Sequence, residues 1–261
     1  MTTSKKSGGS GLVLAEINPQ TNWPPKSLSD ITKLDPYFKW SRTIMVDLHG
    51  VIFDWEARFQ EFATKYHGFT FNNVNREFYD MARDPNTPIS PEQFSELFVQ
   101  FVKRASGGYG DLDPIPGVIE QLALIKKAGI RVLICTWTPG AADARPDGSA
   151  TYGTGIAQKE TEDLILRHMS GVVGKSDIVY ASTHGKKRFM VEERIPVIIE
   201  DNAETAVGVA QSAMAAIVMP QPYNAGLQFR NVLRLDSSNQ LAHAVLTVFD
   251  KLDDDQALAL A

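Results

Sequence analysis

The sequence predicts an α/β protein: a doubly wound parallel sheet with a small helical unit inserted after its first strand. Three observations predict it. Short apolar segments, partly β-branched, alternate with segments of helical period from about residue 117 onward, the pattern of strands covered on both faces by helices. Residues 55 to about 110 carry helical periods alone, with no strand among them. The chain has 261 residues, 43% of them hydrophobic, enough for one sizeable core and an accessory unit but short of two full domains.

Residues 1–40 are rich in Ser, Gly, Pro and Lys and lack a period, so they are expected to form a flexible N-terminal arm that packs loosely through Trp23, Tyr37 and Phe38. Thr43-Ile44-Met45-Val46 is the first strand and runs straight into Asp47-Leu48-His49-Gly50-Val51. Residues 41–54 and 111–261 make the core, and 55–110 the helical insert. Within the insert, Trp55, Phe59, Phe62, Ala63 and Tyr66 recur at helical spacing, and Gly68 ends that helix. A second helix is expected from Asn75 to Ala82. Ser90-Pro91-Glu92-Gln93 is a capping box with proline at the first helical position, and Phe94, Leu97, Phe98, Phe101 and Val102 then line one face. Ser106-Gly107-Gly108-Tyr109-Gly110 is a hinge-like exit.

After that exit the pattern alternates. A helix from Gly117 to Ala128 leads to a strand at 131–135 and then to a glycine-containing polar loop of about twenty residues, a length that is uncommon and often functional. A helix (158–169), a strand (177–181), a short helix near 187–193 and a strand (196–199) follow. A helix (203–213), strands at 215–219 and 232–235, and a last helix (238–252) complete the chain.

In such sheets ligands bind beyond the carboxyl ends of the strands. The first strand ends at Asp47, the strand at 131–135 ends at Thr136, and the strand at 196–199 ends at Glu200-Asp201. Close carboxylates repel one another and need a cation. Asp47 and Asp201, with Glu200, offer hard oxygen ligands suited to Mg²⁺, which uses one or two carboxylates together with substrate phosphate. A single acid at a strand end would equally serve as a helix cap; polar groups at three strand ends together favour the ion.

These segments resemble the motifs of the haloacid-dehalogenase (HAD) superfamily. Ile44-Met45-Val46-Asp47-Leu48-His49-Gly50-Val51 is similar to its first motif and Leu133-Ile134-Cys135-Thr136 to its second. Lys186, or its neighbour Lys187, fits the third, and Val197-Ile198-Ile199-Glu200-Asp201 is similar to the fourth. The resemblance implies a HAD-like Rossmannoid fold with a small helical cap. Within the superfamily the chain looks most like the 5'(3')-deoxyribonucleotidases, through Asp111-Leu112-Asp113-Pro114-Ile115-Pro116-Gly117, Ile134-Cys135-Thr136-Trp137-Thr138-Pro139 and Thr183-His184-Gly185-Lys186. In Arg76-Glu77-Phe78-Tyr79 the aromatic pair resembles the one those enzymes lay against the base.

The resemblance implies a phosphatase in which Asp47 attacks phosphorus and becomes an aspartyl-phosphate. Mg²⁺ would be held by Asp47, the main-chain carbonyl of His49, Glu200 and Asp201. Thr136 would bond a phosphoryl oxygen, and Lys186 would place a cation beside Asp47. Phe78, Tyr79, Trp137 and His184 are the candidate substrate-binding residues, and a nucleotide is the expected small phosphomonoester. His49 departs from the pattern, which usually has an aspartic acid there to protonate the leaving oxygen. An imidazole with an unperturbed pKa of about 6.5 can take that role. Three alternatives stay open: a sugar-phosphate phosphatase, a phosphotransferase of the same fold, or a nucleotide-binding member impaired by His49.

Composition excludes other classes. A formal charge of −5 with no basic stripe does not fit nucleic acid. No apolar run approaches the ~20 residues of a membrane span, and no signal-peptide core follows the N-terminus, so the expected compartment is the cytoplasm. The single cysteine, Cys135, lies in an apolar strand and is expected to be buried and inert, and no two histidines lie at zinc-site spacing.

Overall fold

The computed structural model describes residues 23–28, 30, 38–71, 76–104, 106–138 and 156–259. A six-stranded sheet, parallel throughout, lies at its centre. The strands are β1 (Thr43–Val46), β2 (Arg131–Thr136), β3 (Ile178–Tyr180), β4 (Val197–Glu200), β5 (Ala215–Val218) and β6 (Val232–Arg234). Their spatial order is β3-β2-β1-β4-β5-β6, so the winding reverses between β1 and β4.

Side chains alternate across a strand, and here both faces are apolar. Ile44, Val46, Val132, Ile134, Val197 and Ile199 belong to one buried cluster, while Met45, Leu133, Cys135, Ile198, Ala216 and Val218 belong to a second. The first cluster takes in α3 (Val118–Lys127), α4 (Ile156–Met169) and α7 (Leu241–Ala259), and the second takes in α5 (Thr183–Glu192) and α6 (Ala203–Ala210). Burying each large apolar side chain contributes roughly 1.5–3 kcal/mol, which is why the short strands hold without long ladders. Cys135 is fully buried among them.

Between β1 and α3 the chain forms α1 (Trp55–His67), a 3-10 turn (Met81–Arg83) and α2 (Pro91–Val102). Asp54 caps α1 by accepting from the Ala57 N–H at 3.0 Å, and Gly68 ends it at φ +73°, a conformation that favours glycine. The capping box of α2 is complete: Ser90 Oγ accepts from Gln93 N, and Gln93 Oε1 accepts from Ser90 N at 2.8 Å. Phe59, Phe62 and Phe101 are buried where α1 meets α2.

Two elements differ from expectation. Residues 76–80 are not helical. The Asp84 carboxylate accepts from the Glu77, Phe78 and Asn86 N–H groups (2.6, 2.9 and 2.9 Å), and Asp80 caps the 3-10 turn through the Ala82 N–H. Those side-chain bonds compete with helix for the same backbone donors. The helix expected near 187–193 starts earlier, at Thr183, because Ser182 caps it by accepting from the Gly185 N–H. The long polar loop falls at 139–155, outside the described residues, as do most of 1–37, including Tyr37. Of the expected arm, Trp23 donates to the Ala244 carbonyl at 3.0 Å, Leu28 is buried, and Phe38 meets Trp40 edge-on. No helix among the described residues is long and apolar enough to cross a membrane.

Candidate active site

Asp47 and Asp201 are the first residues past two neighbouring strands, β1 and β4, at the point where the winding reverses. The Asp47 N–H donates to Ile199 O at 2.9 Å, which fixes one strand end against the other. Oxygens of Asp47, Glu200 and Asp201 all lie within 4.8 Å of one another, and all three residues are buried.

Lys186 reaches this cluster because α5 begins at Thr183. On that helix Lys186 and Met190, four residues apart, share the face turned to the sheet, while Lys187 is turned away and half-buried. Lys186 Nζ lies 2.8 Å from Asp47 Oδ1 and 2.8 Å from Glu200 Oε1. Of the two lysines weighed from sequence, Lys186 is the one at the carboxylates. Burial opposes its charge, but Asp47 and Glu200 outweigh burial and hold its pKa well above the usual lysine range.

Three carboxylates face one ammonium. Burial first, then the charge of Asp47, pushes Glu200 well above the usual carboxylate range, and the same two causes raise Asp201 to about 6. Glu200 has a partner on each oxygen, Lys186 on Oε1 and the Asp201 N–H on Oε2 at 3.0 Å, and Oε1 retains a second lone pair. Asp201 differs. Its Oδ2 accepts from Tyr223 Oη at 2.5 Å, while its Oδ1 is buried with no partner among the described residues. An orphaned carboxylate oxygen costs several kcal/mol unless something binds it. Hard oxygen donors, excess negative charge and this vacant acceptor together fit a small divalent cation such as Mg²⁺.

Gly50 (φ +76°) closes the turn after β1, and a Cβ there would lie 2.1 Å from Asp201 Oδ2, so only glycine admits the carboxylate. His49 Nδ1 is 3.3 Å from Thr136 Oγ1 at the end of β2. Its Nε2 is buried with no partner among the described residues, and its ring lies 5.0 Å from that of Tyr109. Burial lowers the His49 pKa to about 4, against the opposing pull of Asp47, so the imidazole is uncharged at neutral pH in the ligand-free site.

The substrate candidates are more spread out. Phe78 and Tyr79 are 52% and 46% exposed, and the Tyr79 ring meets Tyr223 edge-on at 5.5 Å. Solvent reaches one side of Tyr79; burial of the phenol, then the charges of Asp201, Asp47 and Glu200, push its pKa well up. Trp137 is half-buried and His184 exposed. Sequence reasoning missed Tyr223, Asn224 and Tyr109. Asn224 is buried and donates to the Asp201 and Met219 carbonyls, each at 2.9 Å. The strand-end rule, carried on to β5, would have reached Tyr223 and Asn224 in the polar turn after Met219.

A family model described as "5' nucleotidase, deoxy (Pyrimidine), cytosolic type C protein" matches residues 41–249. No curated protein matches the chain significantly. Among solved structures, a HAD family hydrolase from Deinococcus radiodurans R1 with bound phosphate and sodium superposes at TM-score 0.51 with 15% identity, covering 80% of this chain and 96% of that one. D,D-heptose 1,7-bisphosphate phosphatase from Burkholderia thailandensis gives 0.45 at 14% identity, covering 78% and 97%. CbbY from Rhodobacter sphaeroides in complex with phosphate gives 0.43 at 18% identity, covering 77% and 96%. At 15% identity the likeness to the Deinococcus hydrolase is one of fold, the HAD-like parallel sheet.

Proposed function

Since the chain belongs to the 5' nucleotidase, deoxy (pyrimidine), cytosolic type C family and is thereby a phosphatase of the HAD type, we propose that it hydrolyses (deoxy)nucleoside monophosphates through an aspartyl-phosphate on Asp47. The observation that carries the reading is the pairing of Asp47, held on one oxygen by buried Lys186 at 2.8 Å, with the vacant Oδ1 of Asp201 on the next strand.

Asp47 Oδ1 is committed to Lys186, which leaves the other oxygen to attack phosphorus. The new oxygen–phosphorus bond forms as the bond to the leaving nucleoside oxygen breaks, and that oxygen takes a proton. Water then attacks the phosphorus, restoring the Asp47 carboxylate and freeing inorganic phosphate. Lys186 keeps its charge, held by Asp47 and Glu200 before attack and by Glu200 and the phosphoryl oxygens afterwards, and it offsets negative charge on the phosphoryl group. Mg²⁺, held by Asp47, Asp201, Glu200 and the His49 carbonyl, would draw charge from the phosphoryl oxygens. Thr136 offers its hydroxyl to one of those oxygens. His49, beside Thr136, is the group for proton transfer to and from the leaving oxygen and water; a bound phosphoryl group draws a proton onto its ring. Exposed Phe78 and Tyr79 stack on the base, and Trp137 and His184 complete the substrate side.

Phosphate release from a panel of deoxynucleoside, ribonucleoside and sugar monophosphates, with magnesium, tests this. Nucleotides are expected to turn over and Asp47→Asn to lower kcat by about 10⁴-fold or more. Preference for sugar phosphates would reject the substrate class, and full activity of Asp47→Asn would reject the nucleophile. His49→Asn is expected to lower kcat by about 10²–10⁴-fold. An unchanged rate would favour the reading in which the position has lost its catalytic part.

A further inference from the structure

Tyr223 lies on the 3-10 turn after β5, in the core, yet its ring is gripped from the insert. The Arg76 guanidinium sits 4.6 Å from the Tyr223 ring centroid, within cation–π range, and the Tyr79 ring meets it edge-on. Arg76 is itself pinned. It is buried, ion-paired to Glu56 on α1, and donates to the Tyr79 carbonyl at 2.8 Å. At the other end of the same side chain, the hydroxyl donates to Asp201 Oδ2. A Cβ on Gly50 would also lie 3.4 Å from that hydroxyl, so the bare turn after β1 makes room for both partners of the bond.

This arrangement decides which Asp201 oxygen is free. A carboxylate can turn about its last bond, and a fixed donor on Oδ2 holds Oδ1 as the vacant one. We infer that Tyr223 is a positioning residue that ties the insert segment 76–79 to the ion-binding carboxylate: its ring is held by Arg76, and its hydroxyl holds Asp201 ready for the cation. The inference rests on the reading that Asp201 holds a divalent ion. It adds a dependence of that ion site on a buried arginine outside the carboxylate cluster.

The test is calorimetric titration of the substrate-free protein with magnesium chloride, alongside kcat, KM and thermal melts that confirm folding. Tyr223→Phe keeps the ring against Arg76 and removes only the hydroxyl; it is expected to weaken magnesium binding about tenfold, with KM for nucleotide changed less than the magnesium affinity. Arg76→Met is expected to weaken magnesium binding about threefold, and Arg76→Lys, which keeps the charge, to restore it. In the Tyr223→Phe background Arg76→Met is expected to add nothing, because its route to Asp201 is already cut. Unchanged magnesium affinity in Tyr223→Phe overturns the positioning role. Equal effects of Arg76→Met in both backgrounds overturn the coupling to the insert. If Asp201→Asn loses magnesium while Tyr223→Phe does not, this inference fails and the functional reading stands; if wild type binds no magnesium, both fail.

Discussion

Asp84 and Asp201 are both buried aspartates, one in the insert and one at the sheet edge, and their surroundings differ in a way that separates structure from function. For Asp84, burial alone would raise the pKa, but the Phe78, Asn86 and Glu77 N–H groups, with Arg76 beside them, bring the carboxyl below the usual range. Asp201 is pushed up to about 6 by burial and by Asp47, and keeps a vacant oxygen. The chain completes the hydrogen bonds of one carboxylate and leaves those of the other open. A buried acid satisfied by backbone N–H groups holds a loop together; one left incomplete beside two more carboxylates has the chemistry to hold a cation.

Lys186 gives the largest expected effect, because it separates the Asp201 cluster from a collapse of charge. Lys186→Met leaves Asp47 and Glu200 buried without their cation, and denaturant unfolding is expected to register a loss of about 3–5 kcal/mol at neutral pH. A loss under about 1 kcal/mol would mean that the cluster tolerates its own charge.

Magnesium is expected to act first at the sheet edge, where its carboxylates lie. At a hundredfold excess over its Kd it should stabilise the protein by about 2.7 kcal/mol. The pH sign follows from Asp201. Its folded pKa is raised, so protonation stabilises the metal-free fold at low pH, and that contribution is lost as pH rises through about 6. The ion competes with that proton. The shift in Tm on adding magnesium should therefore be larger at about pH 7.5 than at about pH 5, and absent in Asp201→Asn. A shift of equal size at both pH values would break the contrast.

Asp84→Asn has the smallest expected effect, about 1.5 kcal/mol, because an amide keeps one acceptor for the three N–H groups. Here the sign is reversed. A depressed folded pKa stabilises above the unfolded value near 3.9, so the gap between wild type and Asp84→Asn is full at neutral pH and closes as pH falls through the lower, folded value. Hydrogen exchange should place the loss at the N–H groups of residues 77, 78 and 86.

Legibility followed the same division. Ile44-Met45-Val46 and Val197-Ile198-Ile199 announce buried parallel strands because both faces are apolar, and the residues just past them sit at the carboxyl edge of the sheet by topology alone. Within the helix expected from Asn75 to Ala82, residues 76–80 are not helical, because their conformation depends on bonds from Asp84 that no period in the sequence encodes. Tyr223 escaped notice because it approaches Asp201 across about twenty residues of chain and meets Arg76 from the distant segment between α1 and α2.

By itself the sequence determined the alternation of strands and helices, the caps of α1 and α2, and the delivery of Asp47, Thr136, Glu200 and Asp201 to strand ends, since local period and capping chemistry act over a few residues. The tertiary structure alone decided that Lys186 and not Lys187 meets the carboxylates, that one Asp201 oxygen has no partner among the described residues, and that a tyrosine from the turn after the neighbouring strand holds the other. Those outcomes depend on which face of a helix is turned inward and which donors arrive from distant segments, and only packing sets both.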